Sequence, residues 1–172
     1  MSVLDSTFPN REYNTLSKKN GIGLLALNDI LKQSLKKVQA QVDRVQLIVR
    51  CEMLPVVKAG HEELLKLFDD LLGTILNHPP NGSRLFLYID CEEDNTDTID
   101  MTLEKEFKRY SIKFHTNITT HDNWKLINSQ ALINCRHTLS RHNGSLLVND
   151  ISSTGCLFSV SLPGKLNKDA SK

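Results

Sequence analysis

Six histidines and four cysteines are the first residues to weigh, because between them they could ligate a metal or serve nucleophilic catalysis. Cys51, Cys91, Cys135 and Cys156 form no C-x-x-C pair. None of His61, His78, His115, His121, His137 and His142 stands at metal-ligand spacing from them. Each cysteine sits in an apolar pattern, which predicts buried thiols and no metal site. A hydrolase would draw on Ser140, His142 and Asp150, or on Cys135 with His137. No strained nucleophile turn of the G-x-S-x-G kind accompanies either set, and neighbours in sequence are not thereby neighbours in space. Lys32, Lys36, Lys37 and Arg44 could form a basic stripe, but a solvated helix face explains them more simply. His78, beside Pro79 and Pro80, suits the negative end of a helix dipole. Trp124 lies in a polar stretch, with core packing its first expectation and a partner anchor its second.

The elements that must position these residues are bounded by composition. A chain of 172 residues, 40% hydrophobic and 24% charged, is sized for one domain with short tails. Lys and Arg number 21 against 20 Asp and Glu, so no dense basic face argues for nucleic acid. No run nears the ~20 apolar residues of a membrane span, and the first twenty residues lack the apolar core of a secretory signal. The expectation is a cytoplasmic protein.

Residues 1–20 and 165–172 are polar and aperiodic and read as an N-terminal tail or arm and a C-terminal tail. Between them lies one domain, residues 21–164. Leu24, Leu27, Leu31, Leu35, Val38 and Val42 recur at steps of three and four, predicting a helix over 24–43. Residues 44–52 alternate as a strand that stops near Pro55. A second helix is expected from after Gly60 to Asn77, with Glu62 and Glu63 at its positive end and Pro79 beyond it. Leu64, Leu65, Leu67, Phe68, Leu71, Leu72, Ile75 and Leu76 cover more than half of its surface, so it must be packed on two sides. Strands follow at 84–91 and 110–114, then a polar loop, a helix over 124–142 closed by Asn143-Gly144, and a hairpin over 146–162. Residues 92–109 carry no assignable pattern. The order predicts an α/β (α+β) two-layer sandwich, a mixed sheet with three helices on one face.

Two segments carry a resemblance. Residues 64–90, LLKLFDDLLGTILNHPPNGSRLFLYID, resemble the part of sensor histidine kinases where an N-L-L-x-N-A helix precedes a turn and a strand. Residues 131–164, ALINCRHTLSRHNGSLLVNDISSTGCLFSVSLPG, resemble the close of the same domain, where a helix ends at Gly-Gly before a hairpin finishing in phenylalanine and Leu-Pro. With the first helix the resemblance spans about residues 20–164 and implies the histidine-kinase-like ATPase (Bergerat) fold shared with gyrase and Hsp90.

The resemblance also implies where a nucleotide site would stand. Such domains hold Mg²⁺ with an asparagine of the long helix, since this hard cation wants oxygen ligands. They hold adenine with an aspartate in a D-x-G-x-G loop, and phosphates with a glycine-rich box at a helix N-terminus. Here the two helix asparagines fall on Asp70 and Thr74, with Asn77 a turn further on. The adenine loop falls on 115–120, which has neither carboxylate nor glycine, leaving Asn117 as the nearest substitute. The phosphate box falls near 124–131, with Ser129 and Ala131 on glycine positions. A backbone that needs positive φ there would be penalised by about 1 kcal/mol per residue. The stretch before the last helix is short for a mobile lid. No H-E/D-x-x-x-P phosphoacceptor motif occurs, and twenty residues ahead of the first element leave no room for a dimerisation helix pair.

The resemblance thus implies a non-catalytic signalling module of a two-component or phosphorelay pathway, a pseudokinase with no cofactor. It would dock a response regulator or histidine kinase, in an oligomeric state the sequence leaves open. The alternative is a divergent ATP-binding kinase domain that uses Asp70, Thr74 and Asn117 with Mg-ATP.

Overall fold

The computed structural model describes residues 5–8, 21–40, 46–95, 106–149, 152 and 154–166. Its elements in chain order are β1 (Asp5–Thr7), β2 (Ile22–Ala26), α1 (Leu27–Gln39), β3 (Gln46–Cys51), β4 (Val56–Gly60), α2 (His61–Leu76), β5 (Arg84–Glu93), β6 (Lys108–Thr116), α3 (Asn123–Ile127), α4 (Gln130–Arg141), β7 (Ser145–Asn149) and β8 (Cys156–Gly164). Six strands form a mixed sheet in the order β1-β3-β5-β6-β8-β7, parallel from β1 to β5 and antiparallel beyond. With α1, α2 and α4 layered on it, this is the predicted two-layer sandwich.

α2 organises the core. Leu64, Leu67, Phe68, Leu71, Leu72 and Ile75 are all buried, because the helix has α1 and α4 on its flanks and the sheet beneath. Each such side chain stabilises the fold by roughly 1.5–3 kcal/mol relative to exposure. Phe68 meets Phe114 of β6 with ring centroids 6.1 Å apart. Across the sheet, Leu85, Leu87 and Ile89 of β5 and Ile112 and Phe114 of β6 alternate inward, as their period of two requires.

Three expectations need correction. The first helix starts at Leu27, not Leu24, because residues 22–26 pair antiparallel with β4, a strand that the sequence analysis missed. Ile22 and Leu24 stay exposed while Leu25 and Ala26 are buried, so the apparent helical spacing at Leu24 was coincidental. Val42 of that stripe lies outside the described residues. The helix expected over 124–142 is two helices, broken at Asn128-Ser129. Ser129 has extended dihedrals (φ −61°, ψ 144°) and its hydroxyl accepts from Leu132 N–H, so it starts a new helix instead of continuing the old one. Trp124, expected to pack, is 76% exposed.

At the chain ends, β1 adds a parallel edge strand to β3, and Lys165 exchanges two backbone hydrogen bonds with Val56, joining β4 to the end of β8. α4 closes through Asn143 in the left-handed region (φ 55°) and Gly144, whose N–H donates to the Leu139 carbonyl at 2.8 Å. A Cβ at Gly144 would stand 2.4 Å from the Ser161 carbonyl oxygen, so only glycine lets β7 approach β8 this closely. No described helix is long and apolar enough to cross a membrane.

Candidate functional site

The residues that a nucleotide site would use lie on the C-terminal half of α2, the segment after β6 and the start of α4. On α2, Thr74 is buried, and its hydroxyl donates to the Asp70 carbonyl one turn back at 2.8 Å. Asn77 is the exposed C-cap of the helix, its N–H bonded to the Gly73 carbonyl at 3.0 Å. His78 donates through Nδ1 to the Thr74 carbonyl at 2.7 Å. It thereby satisfies the last turn of α2, as its place beside Pro79 predicts. Asp70 is half-buried, and burial raises its pKa above the usual value; Lys66 opposes that rise and Asp69 adds to it. A hydrogen bond from the Asn134 side chain on α4 also opposes the rise.

The segment after β6 is committed elsewhere. Asn117 accepts from Phe86 N–H at 2.8 Å, and its amide nitrogen donates to the carbonyls of Asn81 (3.1 Å) and Arg84 (2.9 Å). Its own carbonyl accepts from Asn81 N–H at 2.6 Å, and Thr119 N–H donates to the Pro79 carbonyl at 2.8 Å. Ile118 forms a bridge with Pro80 and is buried. The chain that a purine would need open is laced to the turn between α2 and β5.

At the phosphate-box position the backbone avoids the conformation that demands glycine. Ser129 is extended and Ala131 is helical, so neither carries the expected positive-φ penalty. Among the described residues, only Asn143 and Gly82 have positive φ. α3 is capped by Asp122, which accepts from Lys125 N–H at 3.0 Å, and the Arg136 guanidinium donates to the Ile127 carbonyl at 2.7 Å. The helix end that would offer free N–H groups to a phosphate has one of them bound by the Ser129 hydroxyl.

The hydrolase residues do not converge. Ser140 donates to the His137 carbonyl at 2.8 Å, and His142 pairs instead with Glu63 at 2.8 Å. Asp150 lies outside the described residues. Cys135 is buried against the Leu67 carbonyl, and burial pushes its thiol up to about 12. Cys51 and Cys156 are also buried and Cys91 is half-buried, and among the described residues no three potential ligands gather around a point. In the basic stripe, Lys37 pairs with Asp69 and Lys32 lies 5.4 Å over the Phe8 ring, while Lys36 is exposed; Arg44 lies outside the described residues. One cluster escaped the sequence analysis: Glu63 at the start of α2 binds both Arg141 and His142 at the end of α4. The adjacent basic side chains Arg141 and His142 closing one helix were its only signal.

No protein-family model and no curated protein matches the sequence. Solved structures do. A mycobacterial sensor histidine kinase, MprB, superposes with a TM-score of 0.62 at 12% identity over 84% of this chain and 99% of that one. The catalytic domain of histidine kinase ThkA gives 0.60 at 11% identity over 84% and 98%. Acinetobacter baumannii histidine kinase AdeS gives 0.61 at 9% over 86% and 69%. The chain therefore has the histidine-kinase ATPase-domain fold.

Proposed function

We propose that this chain is a non-catalytic signalling module built on the histidine-kinase ATPase fold. It would act in the cytoplasm, in a two-component or phosphorelay circuit, by docking a response regulator or a histidine kinase. One observation carries the reading: side chains at positions implied for metal, base and phosphate are spent on the chain's own backbone. Thr74 serves Asp70, Asn117 serves three backbone groups, and Ser129 serves Leu132. A cofactor would have to displace those bonds before making its own. Trp124, largely exposed on α3, is the natural anchor for a protein partner, since exposed tryptophan is costly in water and strong in interfaces.

The second reading, a divergent Mg-ATP site on Asp70, Thr74 and Asn117, draws on one feature. A side chain added at Gly73 would meet nothing within 4 Å, so α2 is uncovered there. Thermal melting with and without millimolar Mg-ATP separates the two. A ligand at a hundred times its Kd stabilises by about 2.7 kcal/mol, a shift of several degrees. The proposal expects no shift, and a saturable one overturns it.

A further inference from the structure

β7 forms one edge of the six-stranded sheet. It pairs with β8 from Ser145 opposite Ser161 to Asn149 opposite Leu157, and among the described residues no other strand borders it. Every second residue of such an edge turns its N–H and C=O away from the sheet, where a further strand can take them. Proteins usually blunt an edge of this kind with a charge, a proline or a bulge. β7 carries none of the three: it reads Ser145-Leu146-Leu147-Val148-Asn149, and it pairs with β8 one residue against one throughout. The edges at β1 and β2 are poorer. β1 is three residues long and begins with Asp5, and β2 contains Gly23, which has no side chain to pack against a neighbour.

The side chains of β7 complement a second β7. Leu146 is buried and Val148 half-buried on the face that packs against α4 and the core, whereas Leu147 points to the open face of the sheet and is 58% exposed. Laid antiparallel to itself with the two Leu147 residues opposite each other, the strand pairs along its whole length. Ser145 then meets Asn149, Leu146 meets Val148 and Leu147 meets Leu147, polar with polar and apolar with apolar, with no charge facing a like charge. The two Leu146–Val148 pairs fall on the helix side and carry the core across the junction. A slip of one residue would set the open face of one copy against the helix side of the other, and a slip of two would leave the end residues without partners. Full pairing and matched faces coincide in one register only.

We infer that β7 is a self-association edge, through which two copies of this chain join antiparallel about a two-fold axis at Leu147 and merge their sheets into one. An isologous contact of this kind closes on itself, so assembly stops at the dimer. A single short strand pair buries little surface, so the dimer is weak and reversible, with a Kd on the order of micromolar. The contact uses neither Thr74, Asn117 and Ser129 nor Trp124, so it stands independently of the docking reading.

Sedimentation velocity of the intact chain from about 1 μM to about 500 μM tests this. The expected result is a monomer that passes to a dimer as concentration rises, with no larger species. Leu147→Lys changes a side chain more than half exposed and sets two like charges directly opposite each other, so it should fold as the parent does and weaken the dimer by about tenfold or more. Leu147→Cys should form an intermolecular disulfide under mild oxidation, because directly opposed Cβ atoms stand about 4.5–5.5 Å apart. Ser145→Cys should not, because its two copies lie four residues apart along the junction, roughly 13 Å. The chain's own thiols are buried or half-buried, and the parent sets their background. Ile22→Lys on β2 and Phe86→Lys on β5 change other exposed apolar residues and should dimerise as the parent does. A chain that stays monomeric at the highest concentration, a Leu147→Lys dimer as tight as the parent's, or a dimer lost in Ile22→Lys or Phe86→Lys would each overturn the inference. So would open-ended assembly, or cross-linking of Ser145→Cys equal to that of Leu147→Cys.

Discussion

Replacing Asn117 by alanine separates a structural residue from a base-binding one. The side chain makes three hydrogen bonds, one accepted from Phe86 N–H and two donated to the Asn81 and Arg84 carbonyls, and it is half-buried. At roughly 0.5–1 kcal/mol net for each partly solvated bond, N117A should cost about 2 kcal/mol. For a domain of this size that is a fall in Tm of roughly 4–8 °C. The carboxylate variant N117D keeps the acceptor for Phe86 but replaces the nitrogen that donates to both carbonyls by an oxygen facing them, so it should lose at least as much. Urea unfolding monitored by far-UV circular dichroism measures both, with an unchanged m-value showing that the denatured state is unaltered. A loss below about 0.5 kcal/mol in N117A would refute the reasoning, because an ordinary surface position behaves that way. Asn117 would then be free for a ligand after all.

Two further outcomes follow from the same structure. Glu63 has its pKa depressed in the folded state, so its clamp contributes fully above the ordinary glutamate value and is lost as pH falls through the folded one. The urea midpoint should therefore decline between about pH 5 and pH 3 more steeply in the parent than in Glu63→Gln, and parallel curves would contradict the clamp. Trp124 should fluoresce as a solvated indole that iodide quenches freely, and Trp124→Ala should shift stability by less than about 0.5 kcal/mol. A blue-shifted, protected emission would place that ring in a packed environment instead.

Legibility in the sequence followed the range of the interactions concerned. α2 was readable from Gly60 to Asn77 because its apolar positions, acidic first turn and following prolines are local signals for one structure. The strands carrying Leu85, Leu87 and Ile89 and Phe158, Val160 and Leu162 were readable because each alternates against a single buried face. β2 and β4 were not. Each is five residues long, and Ile22–Ala26 becomes a strand only by pairing with Val56–Gly60 some thirty residues on. The Glu63 clamp joins residues 78 and 79 positions apart, beyond the reach of any spacing rule. For the candidate site, the residue types at Thr74, Asn117 and Ser129 were legible, but their present use as a back-bonded hydroxyl, a turn clasp and a helix cap was not.

That present use links the candidate site to the stability of the fold. A nucleotide site needs backbone donors and side-chain oxygens left without internal partners, held open in a low-dielectric cleft, and each such group costs free energy when no ligand is bound. Ser129 in extended backbone caps α4 where a glycine box would leave its N–H groups free, a gain of about 1 kcal/mol for a serine cap over alanine. Asn117 closes a turn where an aspartate between glycines would leave a mobile loop. Ile118, buried next to it, anchors that closed form in the core. On the proposed reading these residues are thus not independent of one another. Each bonds a backbone group of this chain, and on the proposed reading the three together favour self-contained hydrogen bonding over ligand chemistry.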